Sequence, residues 1–276
     1  MTTSFRFTYF PLWAKGPAAA LALQHSGLDW EGAFPEDWKT LKGTTPFLEL
    51  PVLETEERRQ GKVCRSRRVK VEIIDVFLDP RTLERCLAER VCAFVAVKRI
   101  GHELAILQYI ATCSGLFGKS QKMGGAGVRE MAISSQLMCE AEDIYQKLAK
   151  IKQGLITGEE AAGFWTDEND QIHNRNFGLK VYLRLLEAFY SKCAKESGDG
   201  VKLDALGGRF TSSGVSVGEC KLFSTLHALK LMKEDVLSGY PNLSNFYERF
   251  AKEEATQSVL KDGGQMPGAF GQYFQL

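Results

Sequence analysis

The chain changes its hydrophobic period part-way along, and that change restricts it to two differently built halves. Phe5 to Phe10 alternates aromatic and polar residues and ends at Pro11, the two-residue period of a short strand. Pro17 then opens Ala-Ala-Ala-Leu-Ala-Leu-Gln-His-Ser, a strong helix former with proline in its first turn and Gly27 just past its end. Trp30 to Phe34 reads as a second strand, and Pro35 to Thr45 as a polar loop holding Trp38 and Lys42. Phe47 to Glu54 reads as a third strand, whose proline suits an edge or a bend. A β-α-β opening followed by a proline-bearing strand predicts an α/β domain.

The second half carries a different period. Arg129 to Lys152, Phe177 to Lys195, Val217 to Lys233 and Leu243 to Glu253 place apolar residues three and four apart, as in the stripe Ile133, Leu137, Ala141, Ile144 and Leu148. No convincing strand interrupts these runs, so this half is predicted to be helical. Ser216 and Glu219 form a Ser-x-x-Glu capping box at one helix start: the serine accepts from the Glu219 amide and the carboxylate reaches back to the cap. The glycine- and lysine-rich stretch from Gly115 to Gly127 is the expected linker between the halves.

Charge and cysteine usage exclude several function classes. The 276 residues carry 35 basic and 34 acidic side chains, a formal net charge of +1, whereas nucleic-acid binding is usually marked by a basic excess. The apolar run Val91 to Val97 is far shorter than the ~20 residues of a membrane-spanning helix. The first residues do not read as a secretion signal, so a cytoplasmic location is expected. The seven cysteines are scattered without a CxxC pair, and the four histidines are far apart, which predicts neither a metal site nor a disulfide framework.

The order of these signals resembles the cytosolic glutathione transferases, nearest to the tyrosine-using alpha, mu and sigma classes. The resemblance is carried by Phe7-Thr8-Tyr9-Phe10-Pro11-Leu12, the Trp38–Lys42 loop, Thr45-Pro46-Phe47-Leu48-Glu49-Leu50-Pro51-Val52-Leu53-Glu54, Ala105-Ile106-Leu107-Gln108-Tyr109-Ile110, and the capping box before Cys220-Lys221-Leu222-Phe223. It covers the chain except roughly residues 56–99. It implies an α/β thioredoxin-like N-terminal domain over residues 1–114, interrupted by that insertion, and an all-α C-terminal domain over residues 124–276.

The resemblance also implies a chemistry, in which a glutathione thiolate attacks a small hydrophobic electrophile. A free thiol ionises near pH 8.5, and a hydroxyl aimed at the sulfur lowers that value. Tyr9 matches the family's activating tyrosine. Pro51 matches the cis-proline of thioredoxin-like folds, and the Leu50 backbone the pairing edge for the cysteinyl part of glutathione. Trp38 and Lys42 match positions that contact the glycine carboxylate, and Lys15 stands where an arginine is common. Glu49 precedes the Leu-Pro pair, while His102 and Glu103 occupy the γ-glutamyl-binding motif. Phe10, Leu12 and Trp13 are expected to face the electrophile. Glutathione as co-substrate, no metal and a homodimer follow from the same resemblance, with detoxification as the role.

Two departures from the family pattern shape the expectations. Glu49 stands where Gln or Lys is usual, and His102-Glu103 where Gln-Ser or Glu-Ser is usual. Two extra carboxylates facing a ligand with two of its own are expected to weaken binding by roughly 1 kcal/mol each. The insertion is the second departure: Arg58 to Lys70 holds seven basic residues and no acidic one, Val69 to Leu78 is strand-like, and Asp79-Pro80 opens an amphipathic helix. Beside the transferase reading stand a glutathione-dependent isomerase or peroxidase, and a catalytically weak or inactive ligand-binding or structural relative.

Overall fold

The structure, a computed structural model, describes residues 2–58, 99–117, 122–166, 178–196 and 208–275. The basic run after Arg58, the strand expected at Val69–Leu78 and the helix expected from Asp79 lie outside the described residues.

The N-terminal half is a four-stranded sheet. Strand β1 (Thr2–Thr8) leads through the two-residue β2 (Leu12–Trp13) to helix α1 (Gly16–Ser26), then to β3 (Trp30–Ala33), the short helix α2 (Trp38–Lys42), β4 (Val52–Arg58) and β5 (Arg99–Gly101). The sheet order is β3-β1-β4-β5; β1 pairs parallel with β3 and antiparallel with β4, and β5 pairs antiparallel with β4. Helix α3 (Glu103–Phe117) follows β5 directly. Phe5 and Phe7 lie two apart on β1 and are both buried, as the alternation predicts. Helix α1 is apolar all round from Ala18 to Leu23, and each of those residues is fully buried.

The third strand begins later than the sequence pattern suggests. Pro46–Leu48 forms a 3-10 turn, and the strand starts at Val52. Neither Pro46 nor Pro51 has an N–H to give to a ladder, so pairing starts only beyond the second proline. Within the turn Phe47 and Leu48 both take left-handed backbone (φ 58° and 57°), which turns their side chains outward, 66% and 55% exposed.

The second half is helical: α4 (Val128–Lys152), α5 (Gly158–Thr166), α6 (Leu179–Glu196), α7 (Val217–Met232), α8 (Pro241–Lys252) and α9 (Glu254–Asp262). The expected stripe on α4 is buried, and α7, buried along most of its length, packs against α4 and α1. Gly218 permits that approach: a Cβ there would sit 2.1 Å from the Ser134 carbonyl oxygen. The capping box forms as expected, with Ser216 Oγ accepting from Glu219 N at 3.2 Å and the carboxylate accepting from Ser216 N at 3.0 Å. Three further expectations need correction. The expected Pro35–Thr45 loop contains helix α2, which starts at the Asp37 cap. Helix α3 runs through Gly115 to Phe117, into the expected linker. The C-terminal half also contains a strand, β6 (Gly271–Gln272), which pairs parallel with β2 and returns the chain to the N-terminal domain; a two-residue strand shows no periodicity to read.

Candidate functional site

Tyr9 is the first residue past β1, its amide donating to the Ala33 carbonyl on β3 at 3.1 Å. Its ring is buried, stacked beside Phe7 and edge-on to Phe10. Its hydroxyl lies at the N-terminus of α1, where the Lys15 amide donates to it at 2.9 Å and the Gly16 amide adds a further bond. Gly16 is required by close approach, since a Cβ there would lie 2.0 Å from Tyr9 Cδ1. Burial pushes the Tyr9 hydroxyl well above the usual phenol range, with the Glu103 carboxylate pushing the same way and the two amides opposing. Tyr9 therefore stays protonated, a standing donor at the end of a helix whose dipole favours negative charge.

The residues around Tyr9 fall into two groups. On the outer face, Trp38 opens α2 half-buried, with its ring edge-on to Phe10 at 5.4 Å, and Lys42 ends the same helix, exposed. Asp37 caps α2, accepting from the Lys39 and Thr40 amides. The Leu50–Pro51 bond is cis. Glu49, exposed, pairs with His102 Nδ1 at 2.6 Å, and the His102 ring lies against Phe47 at 4.6 Å. His102 holds a left-handed backbone (φ 62°), so three non-glycine residues in that uncommon region, Phe47, Leu48 and His102, cluster around this loop. Arg99 ties the loop to the sheet, donating to the Thr44 carbonyl at 2.7 Å and to Glu54 at 2.6 Å.

The second group faces inward, across the seam between the halves. Glu103, the first residue of α3, is only 3% exposed and meets the Lys221 ammonium of α7 at 2.6 Å. Lys221, 1% exposed, also pairs with Glu142 of α4 at 2.8 Å and lies 4.7 Å from the centre of the Tyr145 ring. Glu142 also pairs with Lys15 at 3.5 Å, and Lys15 lies over the same tyrosine ring. Desolvation pushes Glu103 up to about 7, against the pull of Lys221. Lys221 itself is held above its usual value by Glu103 and Glu142, which outweigh its burial. Each acidic departure thus has a basic partner: Glu49 is paired at the surface, and Glu103 points into the seam. In the seam the Lys221 ammonium stands directly against the Glu103 carboxylate.

The apolar candidates separate. Phe10 and Leu12 are half-buried, while Trp13 is buried, with its Nε1 donating to the Ser224 carbonyl at 3.0 Å and its ring packed on His227 and Phe270. The C-terminal tail closes this side, Phe274 packing on Tyr145 at 5.5 Å. Cys113, Cys139, Cys193 and Cys220 are free thiols, and among the described residues no group of His, Cys, Asp and Glu is arranged to hold a metal ion.

Comparison with solved structures identifies the fold. A glutathione S-transferase from Ascaris lumbricoides superposes with a TM-score of 0.58 at 18% identity, over 93% of this chain and 95% of that one. A sigma-class enzyme of Fasciola hepatica gives 0.59 at 17%, over 94% and 95%, and a Pi-class enzyme of Onchocerca volvulus 0.59 at 14%, over 92% and 91%. The chain has the glutathione S-transferase fold. No protein-family model and no curated protein matches the sequence. Within this glutathione S-transferase fold, sequence reasoning missed Gly16, Glu142, Tyr145 and Lys221. The one available signal was a lysine, Lys221, standing directly before the apolar pair Leu222-Phe223.

Proposed function

We propose that this protein is a glutathione transferase in which the Tyr9 hydroxyl stabilises the thiolate of bound glutathione for attack on small hydrophobic electrophiles. The observation that carries the reading is the placement of a buried, protonated Tyr9 hydroxyl at the N-terminus of α1. One hydrogen bond to a charged group contributes about 1.5–3 kcal/mol and a helix N-terminus about 0.3–1. Lowering a thiol's pKa by two units takes about 2.7 kcal/mol, so one tyrosine at a helix end is sufficient. In this reading the Leu50 backbone is the pairing edge for the cysteinyl part. Trp38 and Lys42 take the glycine carboxylate, Lys15 flanks the sulfur, and Glu49, His102 and the start of α3 border the γ-glutamyl end. Phe10 and Leu12 border the electrophile, and Trp13 supports them from behind.

Conjugation of glutathione to an aryl halide, wild type beside Tyr9→Phe, tests the reading. Turnover by the wild type with a loss of roughly tenfold or more in the variant is expected. No turnover by either, with no thermal shift at millimolar glutathione, would leave a binding or structural protein with this fold.

Cytoplasmic location and a role in detoxification belong to the same proposal; among the described residues no helix is long and apolar enough to cross a membrane. We also propose a homodimer in which the Phe47–Leu48 turn of one subunit docks on the helical half of the other. Val128 and Met131 at the start of α4, 85% and 54% exposed, are apolar candidates for the receiving surface.

A further inference from the structure

The seam between the halves encloses an ammonium and two carboxylates. Lys221 lies on α7, where the neighbouring Cys220, Leu222 and Phe223 are fully buried apolar residues, yet its ammonium is enclosed with two carboxylates rather than led to solvent. Burying one such group is costly, and the cost is met only if each charge has a partner. The partners come from three other segments: Glu103 from the start of α3, Glu142 from α4, and Lys15 from the turn before α1. The same Lys15 donates its amide to the Tyr9 hydroxyl. An unbroken chain of contacts therefore runs from that hydroxyl through Lys15, Glu142 and Lys221 to Glu103, whose Oε1 has no hydrogen-bond partner among the described residues.

We propose that Lys221 is a positioning residue for the thiol site: its ammonium balances the charge of the two carboxylates enclosed behind Tyr9 and Lys15, and so sets how readily a thiol at Tyr9 ionises. The inference rests on the transferase reading above. The titratable groups facing this cluster are Glu103 on α3, Glu142 and Tyr145 on α4, Lys15 before α1, Tyr9 after β1 and Tyr273 beside β6. Counted as formal charges, Lys221 and Lys15 balance Glu103 and Glu142. Removing the ammonium leaves the cluster one charge more negative, or forces a carboxylate to take up a proton; either way a positive charge that favours a nearby thiolate is gone. Removing the Glu103 charge instead leaves the cluster more positive and favours the thiolate. The two changes have opposite signs, which a loss of packing would not produce.

The test is the ultraviolet absorbance of the glutathione thiolate, titrated against pH at saturating glutathione, in the wild type, Lys221→Met, Lys221→Arg and Glu103→Gln. Thermal unfolding of each variant establishes that it is folded. Lys221→Met is expected to raise the apparent pKa of the bound thiol, lowering the thiolate fraction about threefold or more below the midpoint. Glu103→Gln is expected to lower that pKa, and Lys221→Arg to restore most of the wild-type profile. If Lys221→Met does not fold, Glu103→Gln decides: a downward shift supports the proposal, and no shift or an upward one overturns it. Both variants moving the same way, or neither moving, overturns the role of Lys221 alone. A wild type that shows no thiolate below the ordinary thiol range overturns the transferase reading itself, and this role with it.

Discussion

The Glu103 carboxylate and the Lys221 ammonium meet 2.6 Å apart across the seam between the two halves, both almost wholly buried. A residue that resemblance places at the rim of a ligand site is therefore turned inward, its charge used between domains. Breaking a buried pair from one side strands the other charge, at about 3–5 kcal/mol. Lys221→Met, which strands Glu103 and Glu142 together, should cost about that much in urea unfolding. Glu103→Gln leaves Lys221 its second carboxylate and should cost less, about 1–2 kcal/mol. The double variant should lose less than the sum of the two, because the groups share one interaction.

Gly16 is the second point at which a small change should reach Tyr9. A methyl group there would overlap the tyrosine ring, at 2.0 Å from Cδ1. Helix propensity alone favours alanine over glycine by about 1 kcal/mol, so a neutral position would gain stability. Gly16→Ala is instead expected to displace the ring, loosen the Lys15 amide's bond to the hydroxyl and lower turnover about tenfold or more. Activity and unfolding measured together separate the two effects. Full activity with raised stability would show that the ring can shift without consequence.

What the sequence made legible follows from the range of the physics involved. Strand β1, helix α1, helix α4 and the start of α7 were readable because their signals are local: alternation, proline and glycine at helix ends, a stripe at three- and four-residue spacing, a serine and glutamate three apart. Helix α5 buries only Phe164 and Helix α9 follows a break at Glu253 without proline or glycine, so neither announced itself. The left-handed turn at Phe47 and Leu48 and the pairing of β6 with β2 depend on distant contacts. At the candidate site, Tyr9 and Pro51 come from the motif resemblance. Glu142, Tyr145 and Lys221 were not, because their meaning arises only where α3, α4 and α7 converge; Glu103 and Lys221 stand 118 positions apart.

His227 should make stability depend on pH. Its ring lies 4.4 Å from Trp13, its Nδ1 is 2.7 Å from the Tyr247 hydroxyl, and burial, with help from Lys230, pushes its pKa down from 6.5 to about 4. Above 6.5 the ring is neutral in both folded and unfolded chains, so its contribution is intact. As pH falls from 6.5 to 4 the unfolded chain binds a proton that the folded chain resists, and stability is lost. Glu103 and Glu219, both pushed up to about 7, act in the opposite direction between 4.5 and 7, so a difference measurement is needed. Unfolding free energies of wild type and His227→Phe at pH 8 and pH 5 should converge by about 2 kcal/mol at the lower pH. Parallel curves would mean that the ring can protonate in place.

The Phe47–Leu48 turn offers the sharpest test of assembly. Two adjacent large apolar side chains stand exposed on a left-handed backbone that is held in place by Arg99 on the Thr44 carbonyl and by the His102 ring against Phe47. Exposed apolar groups on a fixed turn favour association, and a central aromatic anchor commonly contributes 2 kcal/mol or more to an interface. Phe47→Glu should therefore raise the dissociation constant of the proposed dimer about thirtyfold or more, at 1.4 kcal/mol per factor of ten. Met131→Glu, on the proposed receiving surface of α4, should act in the same direction. Both positions are solvent-facing in the single chain, so monomer unfolding should change by less than about 0.5 kcal/mol. Analytical ultracentrifugation over a concentration series reads the outcome. A wild type that sediments as a monomer throughout, or variants that dimerise as well as the wild type, would remove this turn from the interface.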